Sequence, residues 1–184
     1  MAAATKQRPH TRALRLCLLR HGKSDWDIPG QGDRERRLSA RGRSVAPRIG
    51  AWMLAQGLAP DLVLCSSAVR TRETLKLLPE ALTASAEILI ENDLYLAAST
   101  QLLERLHTVP EARRIVLVIG HNPGLHALAL DLVGKGSRED IAALGRKLPT
   151  ASLAVIDFQA AAWTEVHTGK GTLAVYMTPA MLGP

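Results

Sequence analysis

Ile115-Val116-Leu117-Val118-Ile119 constrains the fold of this chain more than any other segment. These β-branched and leucine residues follow Arg113 and Arg114 and offer no polar face. A run of that kind makes a strand covered on both sides, as in a parallel sheet between helices. Residues 14–19, Leu62-Val63-Leu64-Cys65 and Ser152 to Phe158 have the same character, 87–90 form a candidate strand, and 173–177 read as strand or irregular chain. Helical patterns fall between them. In residues 39–56, Val45, Ile49, Trp52 and Met53 share one face; Pro47 removes a hydrogen bond there and Gly57 can end the helix. Arg70 to Leu78, stopped by Pro79, and Thr100 to His107 are also helical, and Asn122-Pro123-Gly124 opens another helix with Asn122 as its cap. Strands alternating with helices predict an α/β fold, a three-layer α/β/α sandwich around a mainly parallel sheet.

The 184 residues suit one domain, taken as residues 14–184 behind a flexible basic tail, 1–13. Aromatic residues make up only 3% of the chain, so Ala, Leu and Val carry the packing. No apolar run is long enough to span a bilayer, and the first apolar stretch, bracketed by Arg15 and Arg20, does not read as a signal peptide. The expectation is a soluble cytoplasmic protein with no membrane partner. The net charge of +6 invites a nucleic-acid reading, but Lys6, Arg8, Arg12 and Arg15 supply four of those charges, leaving +2 elsewhere. A basic arm on a chain without interleaved aromatics is not expected to bind nucleic acid. Cys17 and Cys65 sit in strand-like runs and read as buried small hydrophobes.

In parallel sheets, ligands bind beyond the carboxyl ends of the strands. Three polar clusters occupy such ends: Arg20-His21-Gly22, Ser66-Ser67-Ala68-Val69-Arg70 and Gly120-His121-Asn122-Pro123. If they converge, one pocket receives two arginines, two histidines and helix N-termini. That set suits a phosphoryl group, whose oxygens need several donors and whose charge spreads in the transition state. One histidine can attack phosphorus while the other donates to an oxygen, and Gly22 lets backbone approach closely.

Other phosphate chemistries fit poorly. A cysteine-based phosphatase needs Arg six residues after Cys; Thr71 stands six after Cys65, and Arg70 and Arg72 each miss by one. A P-loop at Gly134-Lys135 would have Ala129 for its first Gly and Gly136 for its Ser or Thr. His121 and His126 are five apart, not the four that align metal ligands on a helix, and no acidic cluster accompanies them. No metal site is expected.

Four stretches resemble the histidine phosphatase (phosphoglycerate mutase-like) superfamily, and within it the small SixA-type phosphohistidine phosphatases. They are Leu19-Arg20-His21-Gly22-Lys23-Ser24-Asp25-Trp26, Leu38-Ser39-Ala40-Arg41-Gly42, Pro60 to Thr74, and Val118-Ile119-Gly120-His121-Asn122-Pro123-Gly124. They occur in family order, and the similarity spans roughly residues 14–178. The resemblance implies a phosphoglycerate mutase-like fold and His21 as the nucleophile that carries a phosphohistidine intermediate. Arg20, Arg70 and His121 would clamp the phosphoryl oxygens; Gly22, Ser24 and Asn122 would complete the pocket. No metal or organic cofactor is implied.

Two departures bear on substrate. Many members carry Asn where this chain has Asp27, a carboxylate that would repel phosphate if it faced the pocket. Larger members carry a glutamate general acid after the third strand; Glu91 and Asp93 are the candidates here, and spacing favours Asp93. An alkoxide leaving group needs a proton donor, whereas phosphohistidine can release neutral imidazole if its other nitrogen is already protonated. A weak or absent acid therefore favours a phosphorylated protein, a histidine-carrier domain or phosphotransfer protein, as substrate. The alternatives are a phosphatase for small phosphomonoesters and a non-catalytic phosphate-binding module. A mutase fits less well, because the short chain leaves little room to enclose a bisphosphorylated intermediate.

Overall fold

The computed structural model describes residues 13–26 and 30–183. Most of the basic arm and Asp27 therefore lie outside the described residues. A mixed sheet of seven strands forms the middle layer: β1 (Leu14–Arg20), β2 (Leu62–Ser66), β3 (Glu87–Glu91), β4 (Ile115–Gly120), β5 (Val133–Gly136), β6 (Leu153–Phe158) and β7 (Gly171–Met177). Their order is β3-β2-β4-β1-β6-β7-β5. The β1–β4, β2–β4, β2–β3 and β5–β7 pairings are parallel, and β6 runs antiparallel to both β1 and β7.

The period of two along each central strand divides the core. Leu14, Leu16 and Leu18 of β1, Leu62 and Leu64 of β2, and Val116 and Val118 of β4 pack in one cluster. Cys17 and Leu19, Val63 and Cys65, and Leu117 and Ile119 pack in the other. The first cluster is closed by α4 (Ser99–His107), α5 (Gly124–Leu132) and Trp163; the second by α1 (Ala40–Ala55), through Ile49 and Met53, and by Leu78 and Leu82. Helices thus cover both sheet faces, which is why the central strands read as continuous apolar runs. Both cysteines are free and buried, and burial pushes each thiol up to about 12.

Local signals explain most boundaries. Ser39 caps α1 by accepting from the Gly42 amide at 3.2 Å. The helix runs on through Pro47, and Gly57, at φ +67°, lies just past its end. α2 (Val69–Lys76) follows β2 directly. One expectation needs correction, and one segment escaped the sequence pattern. Asn122 does not cap α5: the helix starts at Gly124, and the Asn122 side chain instead donates to the Leu148 carbonyl at 3.0 Å. The segment 133–146 holds β5 and α6 (Arg138–Arg146), neither of which the pattern revealed. β5 reads Val-Gly-Lys-Gly and has no apolar period. It exists through its pairing with β7, and a Cβ at Gly134 would lie 2.0 Å from the Gly169 carbonyl oxygen. No described helix is long and apolar enough to cross a membrane.

Candidate active site

The carboxyl ends of the parallel strands β1, β2 and β4 deliver the three clusters to one cavity of about 260 Å³. Arg20, His21, Ser24, Arg70, His121 and Asn122 all line it. Arg20 and His21 leave the end of β1, with the His21 amide bonded to the Gly120 carbonyl of β4 at 3.2 Å. Arg70 stands in the first turn of α2. The His21 and His121 rings lie 5.2 Å apart between centroids.

Hydrogen bonds fix how His21 is presented. Its Nδ1 is 2.7 Å from the carbonyl oxygen of Gly22, an acceptor only, so Nδ1 carries the proton. Nε2 is left with its lone pair. Burial holds this imidazole at a pKa of about 3, reinforced by the charges of His121, Arg70 and Arg20, so the ring is neutral at physiological pH. The Gly22 amide donates to Thr74 Oγ1 at 3.0 Å, tying the loop to α2. A Cβ on Gly22 would press within 3.1 Å of the Gly42 carbonyl oxygen. Gly22 therefore serves the packing of the loop on α1 and is not among the residues lining the cavity.

His121 Nε2 pairs with Ser66 Oγ at 2.7 Å. Its pKa falls to about 4, through burial and the Arg70 charge. Arg20 donates from Nη1 to the Leu148 carbonyl at 2.9 Å. Among the described residues, the Nε atoms of Arg20 and Arg70, His121 Nδ1 and Asn122 Oδ1 are buried without a hydrogen-bond partner. Native proteins rarely leave so many polar atoms unpaired in one place, and a ligand with several oxygens would satisfy the donors.

The cavity also holds residues that the sequence reading did not single out. Asp33, in the loop before α1, accepts from Arg70 at 2.9 Å, from Arg36 at 2.8 Å and from the Tyr95 hydroxyl at 2.6 Å. Burial works to raise its pKa, but those three hydrogen bonds prevail and hold it well below the usual carboxylate range. Arg36 is the brace of the loop: it donates to Asp33, to Ser24 Oγ at 2.7 Å and to the Asp25 carbonyl at 2.9 Å, and it covers the Trp26 ring. The Ser24 hydroxyl is thus engaged by Arg36. The Asp-x-x-Arg spacing of Asp33 and Arg36 was the available signal, but nothing local shows that a loop pair reaches a strand end.

Asp93 is not brought to the cavity. It is exposed and lines a separate depression with Glu91, Glu104 and Arg105, beside the edge strand β3. In the turn after β3 it is Tyr95 that points inward, its ring 5.5 Å from that of His121. Glu91 is bound by Arg105 at 2.7 Å. Among the described residues, no group of three or more His, Cys, Asp or Glu side chains is arranged to hold a metal ion.

An α/β sandwich that gathers two histidines and two arginines at the carboxyl ends of its parallel strands has the donors to hold a phosphoryl group. A sequence profile of the histidine phosphatase superfamily (branch 1) matches residues 16–95. An uncharacterized protein of Mycobacterium tuberculosis is 33% identical over 163 residues, covering 88% of this chain and 99% of that protein. The chain belongs to the histidine phosphatase superfamily, enzymes that hydrolyse phosphate esters. Two solved structures show the same fold. A candidate phosphohistidine phosphatase SixA from Nakamurella multipartitia superposes with a TM-score of 0.79 at 27% identity, over 91% of this chain and 96% of the other. A second such SixA, from Agrobacterium tumefaciens, gives 0.76 at 29% identity, over 90% and 98%.

Proposed function

We propose that this protein is a metal-independent phosphatase that removes the phosphoryl group from phosphohistidine on a protein partner. The observation that carries the reading is the pairing of a pre-set nucleophile with a site whose carboxylate has no proton to give. His21 Nε2 attacks phosphorus while Arg20, Arg70 and His121 hold the phosphoryl oxygens. The substrate ring reacts in its protonated, imidazolium form: the P–N bond breaks, its electron pair returns to nitrogen, and the imidazole departs neutral with its other nitrogen keeping the proton. Water then attacks phospho-His21; inorganic phosphate leaves, and His21 returns to its Nδ1–H form.

Among the described residues lining the cavity, Asp33 is the one carboxylate. It is held ionised by Arg70, Arg36 and Tyr95, so it has no proton to give at neutral pH. An alkoxide leaving group would need such a proton. The SixA likenesses support the same choice.

The purified protein should dephosphorylate a phosphorylated histidine-carrier domain, unaffected by a chelator. His21→Ala should lower the rate at least a thousandfold, as loss of a covalent nucleophile does, and rapid quenching should trap acid-labile phosphate on the wild type alone. Full activity of His21→Ala would overturn the mechanism. A strong preference for sugar phosphates across a substrate panel would replace the protein substrate with a small phosphomonoester.

A further inference from the structure

A second cavity, of about 240 Å³, adjoins the phosphoryl pocket; Lys23 and Thr150 line both. Its other cationic walls are Arg41 and Lys147, and no carboxylate among the described residues lines it. Lys23, Arg41 and Lys147 are exposed and form no ion pair among the described residues. Between these cations the surface is apolar, with Val45, Pro149 and Pro179.

The placement of Arg41 is not explained by its helix. It stands in the first turn of α1, which has no acidic residue, and a cation there opposes the helix dipole. The wall shared with the active site is equally specific. The Ala151 amide bonds the carbonyls of both Arg20 and His21, at 3.0 and 2.9 Å, and Leu148 receives Arg20 and Asn122. A group in the second cavity is therefore separated from the phosphoryl pocket only by the loop that anchors the site. On the phosphoryl pocket's own lining, Trp26 is 72% exposed and Leu96 50% exposed. Large apolar groups left in water around a cationic groove suit a protein surface better than a free metabolite.

We infer that this second cavity receives an acidic side chain of the phosphorylated partner protein, next to the phosphohistidine seated in the main pocket. The inference rests on the phosphohistidine reading above and adds what selects the partner. The apolar walls would take the methylenes of the acidic side chain, while Arg41, Lys147 and Lys23 take its carboxylate. Complementary charge of this kind governs partner choice and encounter.

Kinetics on two substrates test it: a phosphorylated carrier domain with acidic residues beside its histidine, and phosphoramidate, which fills the main pocket alone. The Arg41→Glu/Lys147→Glu protein should lose about tenfold or more in kcat/KM on the carrier, chiefly through KM. Its phosphoramidate turnover should be unchanged, which also shows that the variant is folded. Replacing the carrier's acidic residues by alanine should reduce the wild-type rate and raise the variant's, since the repulsion from its two glutamates is relieved. Equal losses on both substrates, or none on the carrier, would overturn the subsite. A wild type that hydrolyses phosphoramidate and no carrier would instead overturn the phosphohistidine reading on which the subsite depends.

Discussion

At the scale of single residues, the site depends on burial keeping histidines neutral. His21 and His121 are held near 3 and 4, below the ordinary 6.5. The unfolded chain therefore binds more protons than the folded one as pH drops below about 6.5, so stability is full above that value and falls towards the folded values. The thermal midpoint of the wild type should fall between pH 7 and 4, and His21→Gln should lose part of that slope. An unchanged slope would show that His21 is not buried in its neutral form. Asp33 acts on the same residues from the other side. Its carboxylate occupies Arg70, one of the arginines proposed to hold the phosphoryl group. Asp33→Asn should tighten inhibition by orthophosphate, by roughly tenfold from removing one charge a few ångströms away at intermediate dielectric. Weaker inhibition would mean that Asp33 chiefly orients Arg70.

At the scale of elements, two helix glycines should respond oppositely to alanine. In isolation each change favours the helix by up to about 1 kcal/mol. A Cβ at Gly42 would lie 2.1 Å from the Lys23 carbonyl oxygen, backbone against backbone, whereas at Gly145 nothing lies within 4 Å. Gly42→Ala should destabilise by about 1–3 kcal/mol and disturb phosphate binding through the 22–24 loop. Gly145→Ala, near the end of α6, should stabilise by about 0.5 kcal/mol. Urea unfolding of both variants checks the pair. The elements also show where sequence patterns fail. β4 and α1 could be read because their apolar period is internal to the segment. β5 could not, since Val133 to Gly136 gains strand geometry from β7, far along the chain.

At the scale of the whole molecule, β1 sits between β4 and β6, and its side chains serve both core clusters. Leu18 is fully buried at this centre. Leu18→Ala should cost about 2–5 kcal/mol, read as a lower denaturant midpoint with an unchanged slope. It should also weaken phosphate binding, because Arg20 and His21 follow on the same strand.

The sequence by itself determined the class of fold and which polar clusters meet at one end of the sheet. Continuous apolar strands require cover on both faces, and the carboxyl ends of such strands meet, so Arg20, His21, Arg70 and His121 could be named from local patterns joined by one topological rule. Only the tertiary structure decided the rest. It set the His21 tautomer through a bond to Gly22, placed Asp33 and Arg36 in the pocket with Tyr95 bonded to Asp33, and turned Asp93 away. It also joined Arg41 and Lys147 into a second cavity. Those outcomes depend on loop paths and side-chain pairings across long stretches of chain, and hydrophobic periodicity carries no record of them.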